Sequence, residues 1–129
     1  SYPFYKETDA IIAIDARGFI FGSAIAEKIK KPLILARKKN KLPGSLIEES
    51  YGLEYGNDSL AIQESSIKNF ENFVIVDDLL ATGGTAKCVY NMLKKHSKNI
   101  LALSVIIELI SLKGAEHFNA PVYSEVKFD

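Results

Sequence analysis

Phe73-Val74-Ile75-Val76-Asp77-Asp78-Leu79-Leu80-Ala81-Thr82-Gly83-Gly84-Thr85 decides how the rest of the chain is read. Four apolar residues, three of them β-branched, predict a strand buried on both faces, as in the middle of a parallel sheet. The run ends in two carboxylates. Two glycines follow that permit positive φ and close backbone approach, then hydroxyls placed to cap a helix beginning near Ala86. A strand, a turn of small residues and a helix N-terminus together form an anion site of free N–H groups at the positive end of a helix dipole.

This is neither of the two commonest phosphate loops. There is no G-x-G-x-x-G, and Lys87 stands three residues after Gly84, so no G-K-[ST] exists. An apolar run closed by Asp-Asp would also suit the metal-binding strand of a P-loop ATPase, but no upstream P-loop is present. Adjacent carboxylates just ahead of a phosphate cradle suit a sugar phosphate. The acids would accept hydrogen bonds from vicinal ribose hydroxyls while the loop N–H groups hold the 5′-phosphate. A plain acidic turn between strand and helix is the alternative.

The stretch Val76 to Thr85 resembles the phosphoribosyl pyrophosphate (PRPP) motif of the type I phosphoribosyltransferase family, in the form used by its adenine-specific branch. The resemblance implies that Asp77, Asp78, Ala81, Thr82, Gly83, Gly84 and Thr85 bind the ribose 5-phosphate of PRPP or AMP.

Composition bounds the rest. A chain of 129 residues, 47% of them hydrophobic, suits one domain with a real core. Sixteen basic residues balance sixteen acidic ones, so no global field invites nucleic acid or membrane. No apolar run reaches transmembrane length and no leader-like segment opens the chain, so the expectation is a soluble, cytoplasmic protein. The single Cys88 has no internal disulfide partner and lies at helical spacing from Met92, as a buried apolar thiol would.

Strand and helix patterns alternate. Ala10–Ile14, Leu33–Ala36, Phe73–Val76, Ile100–Ile107 and Val122–Val126 read as strands. Ser23–Ile29, after the punctuation of Gly18 and Gly22, and Ala86 to about Lys95 read as helices. The pattern predicts an α/β fold with a parallel sheet and right-handed crossovers, whose ligands bind beyond the carboxyl ends of the strands. Asp15, Arg37, Asp77 and Glu108 all fall there. Residues 45–64 interrupt the alternation as a hairpin, with Gly56-Asn57-Asp58 as its turn. Being weakly apolar, it reads as a flap outside the core, of the kind that excludes water from a site.

Two further stretches carry chemistry. Asp15-Ala16-Arg17-Gly18-Phe19 follows the first strand and aims a permanently charged fork at the same crevice. It resembles the family's pyrophosphate loop, although Ala16 replaces the commoner serine and Ala13 the commoner glycine. The resemblance implies a cis Asp15–Ala16 peptide and contacts from Ala16 and Arg17. Arg37-Lys38-Lys39-Asn40-Lys41-Leu42-Pro43-Gly44 is by itself a solvated run of charge. Its match to the family's R-K-x-x-K-L-P-G stretch implies pyrophosphate binding by Arg37 and Lys41, with Lys38 reaching toward a dimer partner.

Ser50–Gly56 resembles the family's flap, which makes Glu54 the implied acid-base catalyst with Tyr55 beside it. Ile107–Gly114 resembles the segment that packs on the purine through Leu109. His96, at a helix end, and His117 belong to no matched motif. The family also covers its base with an N-terminal hood, and the chain opens at Ser1-Tyr2-Pro3, so the expectation is this fold with the hood missing.

The resemblance thus implies a purine-salvage enzyme joining adenine to PRPP, with Mg²⁺, to give AMP and pyrophosphate, as a homodimer. Transfer to guanine, hypoxanthine or xanthine is the alternative within the fold. A non-catalytic PRPP or nucleotide sensor is the alternative outside it.

Overall fold

The computed structural model describes residues 2–38, 40–53 and 56–129, and the side chains of residues 51–58 stand outside that description. In chain order the elements are α1 (Phe4–Glu7), β1 (Ala10–Ile14), α2 (Gly18–Ile29), β2 (Leu33–Lys38), β3 (Leu46–Leu53), β4 (Gly56–Gln63), α3 (Glu64–Ile67), β5 (Asn72–Leu80), α4 (Gly84–Lys95) and β6 (Asn99–Leu109). Two 3-10 turns, Ile110–Leu112 and Gly114–His117, lead to β7 (Val122–Phe128). The sheet has seven strands in the order β3-β4-β2-β1-β5-β6-β7. All pairings from β2 through β7 are parallel, while β4 joins β2 and β3 antiparallel.

Every residue of β1 is buried, as a strand covered on both faces must be. Its alternate side chains divide between two cores. Ile12 and Ile14 join Ile75 beneath α4, while Ile11 joins Val74, Val76 and Ala26 beneath α2. The apolar spacing of α4 explains its docking, because Ala86, Val89, Leu93 and Cys88, Met92 recur at three- and four-residue intervals and all are buried.

Four expectations need correction. The helix α2 begins at Gly18, not Ser23, and Gly18 and Gly22 lie inside it. With Ala26 they form a stripe of small residues, one helical turn apart, on the face against the sheet. A Cβ on Gly22 would stand 2.5 Å from that of Ala13, so the glycine sets how closely the helix approaches β1.

The central strand does not stop at its carboxylates. Asp77, Leu79 and Leu80 continue the ladder to Val105, Ile107 and Glu108 of β6. In the hairpin, Leu53 pairs with Gly56 and Tyr51 with Asp58, so Gly56-Asn57-Asp58 belongs to β4 and is not the turn. Nor is the hairpin wholly outside the core. Arg37 pairs with Ala61 and Lys38 with Leu60, and Ile47, Leu60 and Ile62 are buried in the cluster under α4. Among the described residues, no helix is long and apolar enough to cross a membrane.

Candidate active site

Because β1, β2, β5 and β6 run parallel, their carboxyl ends meet along one edge of the sheet. A cleft of about 390 Å³ opens there, walled by Asp15, Ala16, Arg17, Lys38, Asp77, Asp78 and the run from Leu79 to Ala86. The loop from Ala81 to Thr85 makes its floor. Gly83 is left-handed at φ +92°, a conformation that favours glycine, and it caps α4 with no side-chain hydrogen bond. The expected hydroxyl cap is therefore absent. The first N–H groups of α4, which lack partners within the helix, are left for a ligand. A Cβ on Gly84 would meet nothing within 4 Å, so the floor has room for an anion.

The carboxylates stand at the wall beside this floor. Asp77 Oδ1 accepts the Asp78 N–H at 2.8 Å, and Gly18 packs so tightly behind it that a Cβ there would lie 3.0 Å from the Val76 carbonyl. Burial pushes the Asp77 carboxyl up to about 7, from an ordinary value of 3.8. The Asp78 side chain adds to the rise, while the Asp78 N–H and Arg17 oppose it. Asp78 accepts from Arg17 Nε at 2.5 Å, but the arginine side chain is 74% exposed. Water competes with such a pair, so the guanidinium is free to turn to a ligand.

In the same cleft the Asp15–Ala16 peptide is cis, as the resemblance implied. The Asp15 carboxylate, 10% exposed, accepts the Lys38 N–H at 3.2 Å and Arg37 Nε at 3.4 Å. Sequence reading gave Asp15 no role of its own, yet it fixes the end of β2 on which both cations ride. Lys38 thereby walls the cleft of its own chain. Arg37 turns instead toward Asp15 and the Phe19 ring, 6.0 Å from its centroid, and is not among the wall residues.

Lys41 is exposed and also away from the wall, and half-buried Leu109 ends β6 opposite Phe128. Glu54 and Tyr55 lie outside the described residues. His96 closes α4, with Nδ1 3.0 Å from the Met92 carbonyl, and Cys88 is buried, as expected. No group of three or more His, Cys, Asp or Glu spaced to hold a metal occurs among the described residues.

The model of the phosphoribosyl transferase domain matches residues 4–127. The chain belongs to that family. Among phosphoribosyl transferase relatives, adenine phosphoribosyltransferase of Prochlorococcus marinus strain MIT 9211 is 56% identical over 124 residues, which are 96% of this chain and 72% of the relative. A crystal structure of the Saccharomyces cerevisiae adenine phosphoribosyltransferase, complexed with adenine and an imino-altritol bisphosphate, superposes with a TM-score of 0.88 at 36% identity. That match covers 92% of this chain and 67% of the yeast one. The Trypanosoma brucei adenine phosphoribosyl transferase, crystallised with AMP, pyrophosphate and ribose-5-phosphate, has a TM-score of 0.86 at 28% identity, over 93% of this chain and 56% of that one.

Proposed function

We propose that this chain transfers the 5-phosphoribosyl group of PRPP to adenine, forming AMP and releasing pyrophosphate. The observation that carries the reading is one cleft in which Asp77 and Asp78 adjoin the uncapped N-terminus of α4 and which Arg17 and Lys38 also line. An anion floor, diol acceptors and cationic side chains are the three parts that a sugar carrying phosphate at one end and pyrophosphate at the other requires. Relatives named adenine phosphoribosyltransferase supply the choice of base.

In this reading the loop from Ala81 to Thr85 holds the 5′-phosphate by backbone N–H groups, and Asp77 and Asp78 accept the ribose hydroxyls. Ala16, through its backbone, and Arg17 and Lys38 bind the pyrophosphate. Arg37 and Lys41 join them by turning in from where they now stand. Leu109 packs against the base. As pyrophosphate leaves, positive charge develops on the ribose, so the residues act mainly by positioning and by charge. Glu54 exchanges the proton that adenine must lose, with Tyr55 orienting the flap.

Two adjacent carboxylates, with no third ligand among the described residues, suit Mg²⁺ carried largely on substrate oxygens, since that ion usually keeps one or two carboxylates at most. Asp77 and Asp78 are the carboxylates that would face it, and when bound it neutralises charge on the departing pyrophosphate. The resemblance also carries the homodimer and the cytoplasmic location as parts of this proposal. Incubation with PRPP, Mg²⁺ and adenine tests it. AMP and pyrophosphate should appear in equal amounts, and binding of PRPP without turnover would favour a sensor.

A further inference from the structure

We propose that Gly114 is a positioning residue that shapes the phosphate loop from behind, with Lys87 locking the turn that carries it. This rests on the reading of the loop from Ala81 to Thr85 as the phosphate cradle. The two backbones interlock. A Cβ on Gly114 would stand 2.4 Å from the Ala81 carbonyl oxygen, and one on Gly83 would stand 3.0 Å from the Gly114 carbonyl oxygen. Gly114 itself does not have a positive φ, so its own backbone would accept alanine, and the obstacle is steric alone. The nearest atom belongs to the loop backbone, not to the end of a flexible side chain. An added methyl must therefore move the loop, or the turn, or both.

The turn has little freedom to yield. Lys87, in the first turn of α4, donates through Nζ to the His117 carbonyl at 2.5 Å. Its ammonium lies 4.5 Å from the Tyr90 ring centroid and 5.9 Å from that of Phe118, and those two rings meet edge to face at 5.6 Å. The segment Gly114–His117 is thus bolted to the same helix whose N-terminus forms the cradle. The loop is held between its own helix and the turn after β6. Neither Gly114 nor Lys87 walls the cleft, so both act through the loop. A cradle of N–H groups binds phosphate only while its donors converge, and displacements of about 1 Å cost as much as 10²-fold.

The test is calorimetric binding of AMP, ribose 5-phosphate and adenine to the wild type, Gly114→Ala, Lys87→Met and Lys87→Arg, with circular dichroism to confirm folding. We expect Gly114→Ala to weaken AMP and ribose 5-phosphate by about 10- to 100-fold, with adenine affinity unchanged. In turnover, the KM for PRPP should rise while kcat stays within about threefold. Lys87→Met should weaken the same two ligands by a smaller factor, and Lys87→Arg should restore them. A folded Gly114→Ala chain that binds AMP as the wild type does, or that loses adenine equally, overturns the inference. Should that variant fail to fold, unchanged AMP affinity in Lys87→Met overturns it instead. A wild type that binds adenine but neither phosphate ligand refutes the cradle reading itself, and the inference falls with it.

Discussion

Asp77 makes the site sensitive to pH near neutrality. Its carboxyl sits at about 7 because burial disfavours the charge and Asp78 crowds it. Ribose hydroxyls that donate to Asp77 need the carboxylate. A ligand selecting that form has its apparent Kd multiplied by 1 + 10^(pKa − pH), which is about 1.1 at pH 8, about 2 at pH 7 and about 11 at pH 6. The ligand phosphate, with a second pKa of about 6, adds its own loss in acid. Comparison with Asp77→Asn separates the two. At pH 8 the variant should bind AMP about 5- to 10-fold more weakly, since a neutral amide is a poorer acceptor than a carboxylate. By pH 6 wild type and variant should converge. Isothermal titration of AMP at each pH reads the ratio directly, and a ratio that stays constant from pH 6 to 8 refutes the role given to Asp77. Stability carries the same signature. The folded chain keeps a proton that the unfolded chain has lost, so stability should fall as pH rises from about 4 to about 7 and level off above, with that slope removed in Asp77→Asn.

Gly22→Ala should destabilise by about 1–3 kcal/mol through overpacking against Ala13, despite a gain of about 1 kcal/mol in helix propensity. Adding Ala13→Gly should recover most of that loss in urea denaturation, and a single variant as stable as the parent would contradict the close approach. Lys30 ends α2 in the left-handed region at φ 59°, and its side chain makes an exposed ion pair to Glu27. Lys30→Gly should therefore stabilise by about 0.5 kcal/mol, raising Tm by a few degrees, and a lower Tm would contradict this account of the cap. Glu54→Gln should lower kcat by about 10²- to 10⁴-fold with the KM for PRPP nearly constant, and near-normal turnover would move the acid-base step to another group.

What the sequence disclosed follows from how local each cause is. The strands β1, β2, β5 and β6 were legible because burial on both faces demands continuous apolar runs, and the phosphate loop was legible because its parts are contiguous. Gly18 and Gly22 misled as punctuation because their job is to thin the helix against Ala13 and Val76, a contact between elements. Charge at Asp77 and Asp78 ended the apolar run without ending the strand, because the ladder to β6 continues. Gly56-Asn57-Asp58 has the composition of a turn, but Arg37 and Lys38 fix β4 at Ala61 and Leu60, and that register carries the reversal elsewhere. Which of Arg37 and Lys38 walls the cleft depends on the Asp15 carboxylate, far away in sequence. Gly114 left no local signal either, since its effect is a backbone contact across the fold.

Competition among bases tests the central claim most directly. The chain is given PRPP and Mg²⁺ with adenine, guanine, hypoxanthine and xanthine at equal concentration, and the nucleoside monophosphates are separated and quantified. AMP should dominate, with pyrophosphate matching it mole for mole. Dominance of another purine monophosphate, or no nucleotide at all from a folded chain that binds PRPP, would contradict the account.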